Sequence, residues 1–358
     1  MCRLFRLVIL LVPVNVTATG FSSLYTFGDS LSDPGNIPRI SGIAYPPPPY
    51  SNHRFSNGPV AVQYLAPLLC LPVTNDNNYA QGGATTGFDN IFNATNGGPV
   101  PGSSLSGVLD QVQRYLLATR RADPRGLYVI WAGPNDLLQG LQNPATFDAP
   151  AAIGRALGNV STIILNLTNA GARHFLILNM PDLGKTPRMF GTPYQTRGTQ
   201  LSIAFNQGLA RTLTSLQSGL DVRIIPFDTF SLLNTMIAKP EEYGYTHVSS
   251  PCIQQPACVA DPATAAAYLF WDDLHPTTSG HQVLARAMAH KLSLSLPTAV
   301  PCTYNDHDRC NALNTQGEDC DERDRDHACE DQDDRGRTMH GADAEINLTT
   351  PGYSDSYN

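Results

Sequence analysis

Short apolar runs rich in β-branched and aromatic residues alternate along this chain with longer segments of helical hydrophobic spacing. The strand candidates are residues 24–28, a short segment near Tyr79, and residues 127–131, 175–179 and 222–226. The helical candidates, where apolar side chains recur at i, i+3, i+4 and i+7, are residues 59–69, 105–116, 150–170, 201–216 and 280–294. Strands that alternate with helices form a parallel sheet with helices on its faces. The pattern therefore predicts one α/β domain over residues 21–300.

The two ends of the chain differ from this body. Residues 1–20 place Arg3 and Arg6 before a short apolar run and then small residues, an order typical of a secretory signal peptide. The run is shorter than the roughly 20 residues of a membrane-spanning helix, so no transmembrane segment is predicted. Residues 301–358 contain 15 Asp and Glu against 5 Arg, and they predict an acidic, Cys-containing tail without fixed structure. The tail therefore has a net charge of −10 and the whole chain one of −8, so the body is nearly neutral. A nearly neutral body argues against nucleic-acid binding.

Cysteine usage agrees with export, since the chain has 8 cysteines and none has the spacing of a zinc site. Cys252 and Cys258 enclose a short loop and are the candidate disulfide. Cys70 ends an apolar helical stretch, and we expect it to be a buried free thiol.

Sequons provide candidate glycosylation sites at Asn93, Asn159, Asn166 and Asn347. Asn159 and Asn166 lie seven residues apart in a predicted helix, so they share one face, which we expect to face solvent.

A catalytic function is indicated by a serine and a histidine that lie far apart in the sequence. Ser30 follows the first predicted strand, where a side chain can be presented at the carboxyl edge of the sheet. Asp272 and His275 are three residues apart, and Pro276 disfavours helical geometry at His275. A nucleophilic serine needs an imidazole to take its proton and a carboxylate to orient that imidazole. Taken separately, each segment also fits ordinary turn or capping chemistry.

Two further segments offer hydrogen-bond donors for an oxyanion. Gly83 follows the short strand near Tyr79, where a glycine lets its backbone N–H approach a ligand. Asn135 follows the strand at residues 127–131, so its amide can point over the same edge of the sheet.

Together, the segments FGDSLSDPGN (27–36), NYAQGGATT (78–86), AGPND (132–136) and DDLHPT (272–277) resemble, in this order, the four motif blocks of the SGNH, or GDSL, family of lipases and esterases. The resemblance implies a three-layer α/β/α sandwich of flavodoxin type with about five parallel strands. It also implies that Ser30 is the nucleophile, His275 the base and Asp272 the orienting acid. Ser30 N–H, Gly83 and Asn135 would form the oxyanion hole. Asp273 is the rival acid, but the family spacing selects Asp272.

The resemblance implies a secreted serine esterase or lipase that hydrolyses carboxylic esters and needs no metal or organic cofactor. Two alternatives stay open: an acyltransferase with the same triad, and a non-catalytic secreted protein of this fold that binds carbohydrate or a surface. The substrate is open between a lipid, a short-chain ester and an acetylated sugar, and we expect a monomer. In the Pro-rich loop at residues 44–55, Tyr45, Tyr50 and Phe55 either line a substrate pocket or pack the loop.

Other catalytic signatures are missing from the sequence. It contains no G-x-S-x-G, which disfavours the nucleophile elbow of an α/β-hydrolase. It also has no H-E-x-x-H for a zinc protease and no G-x-G-x-x-G for a dinucleotide.

Overall fold

A computed structural model describes residues 17–18, 20–102, 104–142, 146–295 and 300–301. The strands are β1 (Thr17–Ala18), β2 (Leu24–Gly28), β3 (Leu127–Trp131), β4 (His174–Leu178), β5 (Arg223–Phe227), β6 (His247–Pro251), β7 (Tyr268–Phe270) and β8 (Val300–Pro301). The α-helices are α1 (Asn36–Ser41), α2 (Ala61–Leu68), α3 (Val108–Thr119), α4 (Pro134–Gln142), α5 (Ala149–Ala170), α6 (Gln195–Gly219), α7 (Thr229–Ala238), α8 (Pro256–Ala260), α9 (Pro262–Ala266) and α10 (Thr278–Ser295). None of the helices in these ranges combines the length and apolar character needed to cross a bilayer.

The central sheet is parallel, with the strand order β2-β3-β4-β5. Its register places Leu24 beside Leu127, Leu127 beside His174, and His174 beside Arg223. All four strands therefore point in one direction, and their carboxyl ends meet at one edge. Two short pairs flank this sheet: β1 is antiparallel to β8, and β6 is parallel to β7.

Hydrophobic side chains of β3 are buried on both faces of the sheet, as expected for a parallel strand covered by helices. Tyr128 and Ile130 belong to one core, which also contains apolar residues of α3, α5 and α6. Val129 and Trp131 belong to a second core, which contains apolar residues of α2 and α10. Helices thus cover both faces, and the predicted three-layer α/β/α architecture is confirmed.

The predicted fifth strand near Tyr79 is reduced to a single parallel bridge between Thr26 and Asn78. Tyr79 N–H donates to Thr26 O at 2.8 Å, and Gln81 N–H donates to Gly28 O at 3.1 Å. The chain then turns at Gly83, whose φ is +78°, so the pairing ends after a few residues. The parallel sheet therefore has four strands rather than about five within the described residues.

The region from residue 239 to 264 is more ordered than the surface loop that the sequence predicts. It contains β6, α8 and most of α9, and the predicted disulfide joins Cys252 and Cys258 with a Cα–Cα distance of 5.5 Å. Both cysteines are buried against Trp271 and Tyr268.

The expectation for Cys70 was wrong, because this cysteine is disulfide-bonded. It lies just past the end of α2 with intermediate exposure, so the expected burial is wrong as well.

The glycosylation candidates differ in accessibility. Asn93 is only 3% exposed, and its amide bonds the backbone O and N–H of Leu105 at 2.9 and 3.0 Å. The burial of this amide argues against a glycan there, and glycosylation at Asn93 stays a prediction. Asn159 and Asn166 do share a face of α5, but both are half-buried rather than fully exposed. Asn347, most of the predicted signal peptide and residues 302–358 lie outside the described residues.

Candidate active site

Ser30 lies two residues past the end of β2, in a tight turn at the carboxyl edge of the sheet. Asp29 closes this turn, because its Oδ1 accepts the Leu31 N–H at 3.0 Å and its carbonyl accepts the Ser32 N–H at 3.1 Å. Gly28 is required by close packing, since a Cβ there would lie 2.5 Å from the carbonyl oxygen of Trp131 in β3. The local sequence thus brings Ser30 to the edge of the sheet beside the end of β3.

His275 reaches this serine from a turn 245 residues away. Its Nε2 lies 2.7 Å from Ser30 Oγ, and its Nδ1 lies 2.7 Å from Asp272 Oδ2. An ionised carboxylate can only accept, so Nδ1 carries the proton and Nε2 is the acceptor for the serine hydroxyl. Ser30, His275 and Asp272 are 7%, 9% and 7% exposed, so solvent weakens these contacts little. The structure therefore aligns the three predicted side chains in hydroxyl, imidazole and carboxylate order.

The Asp272 carboxylate is held by the backbone of its own turn. Its Oδ1 accepts the N–H groups of Leu274 at 2.8 Å and His275 at 2.7 Å. Burial alone would raise the pKa of Asp272, but the His275 charge and these hydrogen bonds outweigh it and lower the pKa to about 2. Asp272 is consequently ionised at neutral pH.

Asp273, the rival acid, points to a different partner. Arg188 binds it through Nε–Oδ2 and Nη2–Oδ1 hydrogen bonds of 2.8 and 2.9 Å. The Arg188 backbone N–H also donates to the Asp273 carbonyl at 2.8 Å. The geometry therefore agrees with the choice of Asp272, and Asp273 anchors the turn to the segment after β4.

The two predicted oxyanion donors lie near the serine turn in different ways. Asn135, at the start of α4, is 9% exposed and lines the same pocket as Ser30 and His275. One of its amide hydrogens goes to Ala84 O at 2.9 Å, which leaves the other available. Gly83 does not line that pocket. A Cβ at Gly83 would lie 2.6 Å from Asn90 Oδ1, so this position requires glycine for packing as well as for its φ.

Asp33 joins the segment that carries Gly83 to the serine turn. Its Oδ1 accepts the N–H groups of Gly35 and Asn36 at 2.8 and 2.6 Å, and its Oδ2 accepts the Gly82 N–H at 2.8 Å. Burial raises the pKa of Asp33 to about 6, although these N–H donors and the nearby Arg54 oppose that rise.

Asp29 is a buried carboxyl next to the candidate nucleophile. Its Oδ2 has no hydrogen-bond partner among the described residues. Burial raises its pKa to about 7, against the opposing effects of the Leu31 N–H and the His275 charge. This carboxyl therefore keeps its proton to a much higher pH than an exposed aspartate does.

An apolar pocket opens beside Ser30 and His275. It lies between the start of α4, the segment after β4, helix α7 and the turn after β7. Its apolar lining comes mainly from Trp131, Leu138, Leu183, Leu232, Leu233, Met236, Phe270 and Leu274. The polar groups among the lining residues, including Ser30, Asn135 and His275, provide the chemistry. Such a pocket can accept a hydrocarbon chain next to a polar reacting group.

The aromatic residues of the Pro-rich loop take a place that the sequence did not predict. Tyr50, Phe55 and Tyr45 are absent from the lining of the apolar pocket. Tyr50 Oη instead donates to Asp272 Oδ2 at 2.9 Å, and the Phe55 ring lies 5.1 Å from that of His275. No spacing rule could have revealed these contacts, because the partners are more than 200 positions apart.

His281, which follows the turn containing His275 in sequence, is part of the helical core. His281 is fully buried in α10, and burial lowers its pKa to about 3, with a further decrease from the His275 charge. Among the described residues, no three His, Cys, Asp or Glu side chains cluster as metal ligands.

The fold and this site define an α/β protein with a serine, histidine and aspartate arrayed at the carboxyl edge of a parallel sheet. A sequence model of the family described as GDSL-like Lipase/Acylhydrolase matches residues 24–288. The chain belongs to this family, as its motif blocks predict.

Similar proteins include several from bacteria. An uncharacterized protein in the trpE-trpG intergenic region of Pseudomonas putida is 33% identical over 291 residues, which cover 74% of this chain and 47% of that protein. Esterase EstA of Pseudomonas aeruginosa is 31% identical over 313 residues, covering 74% of this chain and 46% of EstA. Phosphatidylcholine-sterol acyltransferase of Aeromonas hydrophila is 26% identical over 330 residues, covering 80% of this chain and 94% of that enzyme. The chain thus spans about half the length of the first two relatives.

Among solved structures, Axe2, an acetylxylan esterase from Geobacillus stearothermophilus, matches with 16% identity and a TM-score of 0.40. The match covers 78% of this chain and 96% of Axe2.

Proposed function

We propose that the chain is a serine hydrolase that cleaves carboxylic esters, with Ser30 as nucleophile, His275 as base and Asp272 as orienting acid. The single observation that carries this proposal is the position of the His275 ring, which lies 2.7 Å from Ser30 Oγ through Nε2 and 2.7 Å from Asp272 Oδ2 through Nδ1. Membership of a family of lipases and acylhydrolases supports the same activity.

The chemistry follows from this alignment. His275 Nε2 takes the Ser30 hydroxyl proton while Oγ attacks the ester carbonyl, and Asp272 stabilises the imidazolium that forms. The developing oxyanion would be met by the backbone N–H of Ser30 and by the free amide hydrogen of Asn135, both from residues that line the pocket. The N–H of Gly83 is the third donor that the family motifs imply. The imidazolium then protonates the leaving alcohol, and water activated by the same imidazole releases the acid.

The apolar pocket supports an ester with a hydrocarbon acyl chain. Side chains of α7, such as Leu233 and Met236, line this pocket together with Ser30 and His275 and would contact the acyl chain. An acetyl group would leave most of this lining without contact, so acetylated sugars are a weaker fit than longer acyl esters.

Acyl transfer is the second candidate function. The observation that favours it is the similarity to phosphatidylcholine-sterol acyltransferase of Aeromonas hydrophila, which this chain matches over 94% of that enzyme's length. Transfer uses the same acyl-enzyme, with an alcohol in place of water as the final acceptor.

A non-catalytic binding protein has less support. Such a protein would have no need for three buried side chains aligned at hydrogen-bond distance.

Export is part of the proposal. The Cys252–Cys258 disulfide supports an oxidising compartment, where such bonds persist. Residues 1–20 would act as the leader.

The test is a series of p-nitrophenyl esters from acetyl to palmitoyl, measured on the full chain and on Ser30→Ala, with and without an added alcohol acceptor. We expect Ser30-dependent hydrolysis that increases beyond acetyl. An ester of the added alcohol as the main product would favour the transferase. Equal rates for the full chain and Ser30→Ala would contradict the proposal.

A further inference from the structure

We propose that Tyr50 is a positioning residue that holds and moderates the Asp272 carboxylate through its hydroxyl. The inference rests on the proposed serine hydrolase mechanism. It assigns a role to the Pro-rich loop, which contributes no side chain of the Ser30, His275 and Asp272 array.

The contacts of Asp272 make Tyr50 part of a complete set. Oδ1 accepts two backbone N–H groups, from Leu274 and His275. Oδ2 accepts the His275 ring N–H at 2.7 Å and the Tyr50 hydroxyl at 2.9 Å. Each oxygen therefore has two donors, which fills the lone-pair sites of a buried carboxylate. Among the described residues, Tyr50 is the one donor that comes from outside the turn containing His275.

Packing fixes the Tyr50 ring in this place. Its centroid lies 6.2 Å from that of Trp271 and 6.2 Å from that of Phe55, in edge-to-face arrangements. Phe55 in turn lies against the His275 ring. Edge-to-face pairs at these distances are favourable geometries that restrict rotation of the rings.

The loop itself is tied to the histidine turn by hydrogen bonds. Ser56 Oγ donates to Pro276 O at 2.9 Å, directly after His275. The Ser51 N–H donates to Ser56 O at 3.0 Å, and a ring nitrogen of His53 lies 2.9 Å from Pro46 O. Hydrogen bonds on both sides of Tyr50 thus hold the loop segment that carries its side chain beside the histidine turn.

Tyr50 stays a donor under working conditions. Burial and the Asp272 charge raise its pKa well above the usual range for tyrosine. The neutral hydroxyl shares Oδ2 with the His275 N–H, so it draws part of the anionic charge away from the imidazolium. Loss of the hydroxyl should therefore strengthen the attraction between Asp272 and protonated His275, while it loosens the orientation of the carboxylate.

Other ionisable groups also face this pair. The charge of His275 acts to lower the pKa of Asp29 and of His281, and the charge of Asp272 acts to raise the pKa of Tyr45. Asp273 faces Tyr50 but is paired with Arg188. All of these groups remain in Tyr50→Phe, so its pH profile relative to the unmodified chain reports the loss of the Tyr50 hydroxyl.

The experiment compares Tyr50→Phe with Tyr45→Phe, a matched variant that loses a hydroxyl without a hydrogen bond among the described residues. We measure kcat, KM, Tm and the pH profile of kcat/KM on one p-nitrophenyl ester. For Tyr50→Phe we expect kcat to fall roughly 5- to 30-fold with little change in KM, because a hydrogen bond to a charged group is lost. We also expect the acid limb of the profile to move up by at least about 0.3 pH unit, because protonated His275 is better stabilised. Tyr45→Phe should stay within about twofold of the unmodified chain.

A second variant guards against a folding defect. Incorporation of 3-fluorotyrosine at position 50 preserves the ring and makes the hydroxyl a stronger donor, so the acid limb should move in the opposite direction, to lower pH.

The proposal is overturned if Tyr50→Phe matches Tyr45→Phe, or if its kcat falls while the acid limb stays in place, which is the result of a purely structural role. An unmoved limb with 3-fluorotyrosine overturns it as well. Failure of the hydrolase mechanism has a different signature, since Ser30→Ala would then retain activity whatever the Tyr50 variants do.

Discussion

Arg188 and Asp273 are joined side by side by two hydrogen bonds of 2.8 and 2.9 Å, while the carboxylate of the adjacent Asp272 binds His275. Two neighbouring carboxylates in one turn thus have separate tasks. The Arg188–Asp273 pair is partly solvated, with side chains 34% and 43% exposed, so it should stabilise the protein only modestly.

Replacement of each carboxylate by its amide separates these tasks. Asp272→Asn keeps the shape of the side chain, but a neutral amide neither fixes the tautomer of His275 nor stabilises its imidazolium. We therefore expect kcat/KM to fall about 10³- to 10⁴-fold. Asp273→Asn, the matched control, should lose less than about tenfold, because it disturbs only an anchor of the turn. Steady-state kinetics of the two variants decide the matter, and a larger loss in Asp273→Asn would reverse the assignment.

Asn135 should matter to the rate rather than to ester binding. Asn135→Ala removes an amide that lines the pocket beside Ser30, and we expect kcat to fall about 10²- to 10³-fold with KM nearly unchanged. Asn159→Ala is a suitable control, since that amide donates to Thr86 Oγ1 at 3.1 Å outside the pocket. Similar kinetics for both variants would remove Asn135 from the oxyanion hole.

The size of the apolar pocket should set the preferred acyl chain. Leu232 lines the pocket with intermediate exposure, so Leu232→Trp can fill part of the space without overpacking the core. We expect the ratio of octanoyl to acetyl ester rates to fall about tenfold or more, because apolar contacts of several methylenes are lost. Leu117→Trp, at a site 80% exposed in α3, should leave the ratio unchanged. An unchanged ratio in Leu232→Trp would place the acyl chain elsewhere.

Asp29 should make the protein less stable as the pH rises. In the unfolded chain this carboxyl loses its proton near pH 3.8, but burial holds the proton in the folded state up to about pH 7. Between these values the unfolded state releases a proton that the folded state keeps, so an increase in pH favours unfolding. Asp29→Asn cannot ionise, and its Tm relative to the unmodified chain should increase from about pH 4 to about pH 7 and then level off.

Thermal melts across this pH range test the prediction, with the exposed Asp221→Asn as control. A flat Tm difference for Asp29→Asn would show that its carboxyl is ionised in the folded protein.

Much of the fold could be predicted because β3 and its neighbours are short apolar runs buried on both faces. The strand near Tyr79 could not be judged from composition, since its pairing ends at a left-handed turn at Gly83 after a single bridge. β6 was missed because its side chains are partly polar and partly exposed, so its sequence lacks a strand pattern.

The candidate site was predictable where motif and strand end coincide, as at Ser30 and Asn135. The burial of Asn93 was not, because a sequon carries no information about packing. The contact between Tyr50 and Asp272 joins residues 222 positions apart, and only the folded path of the Pro-rich loop brings them together.

The assignment of Ser30 as nucleophile is tested most directly by the site of covalent reaction with a fluorophosphonate probe. The label is located by mass spectrometry of the labelled peptide in the full chain, Ser30→Ala and His275→Ala. We expect a label on Ser30 alone, no label in Ser30→Ala, and labelling at least about 10²-fold slower in His275→Ala. A label on another residue, or full labelling of Ser30→Ala, would contradict it.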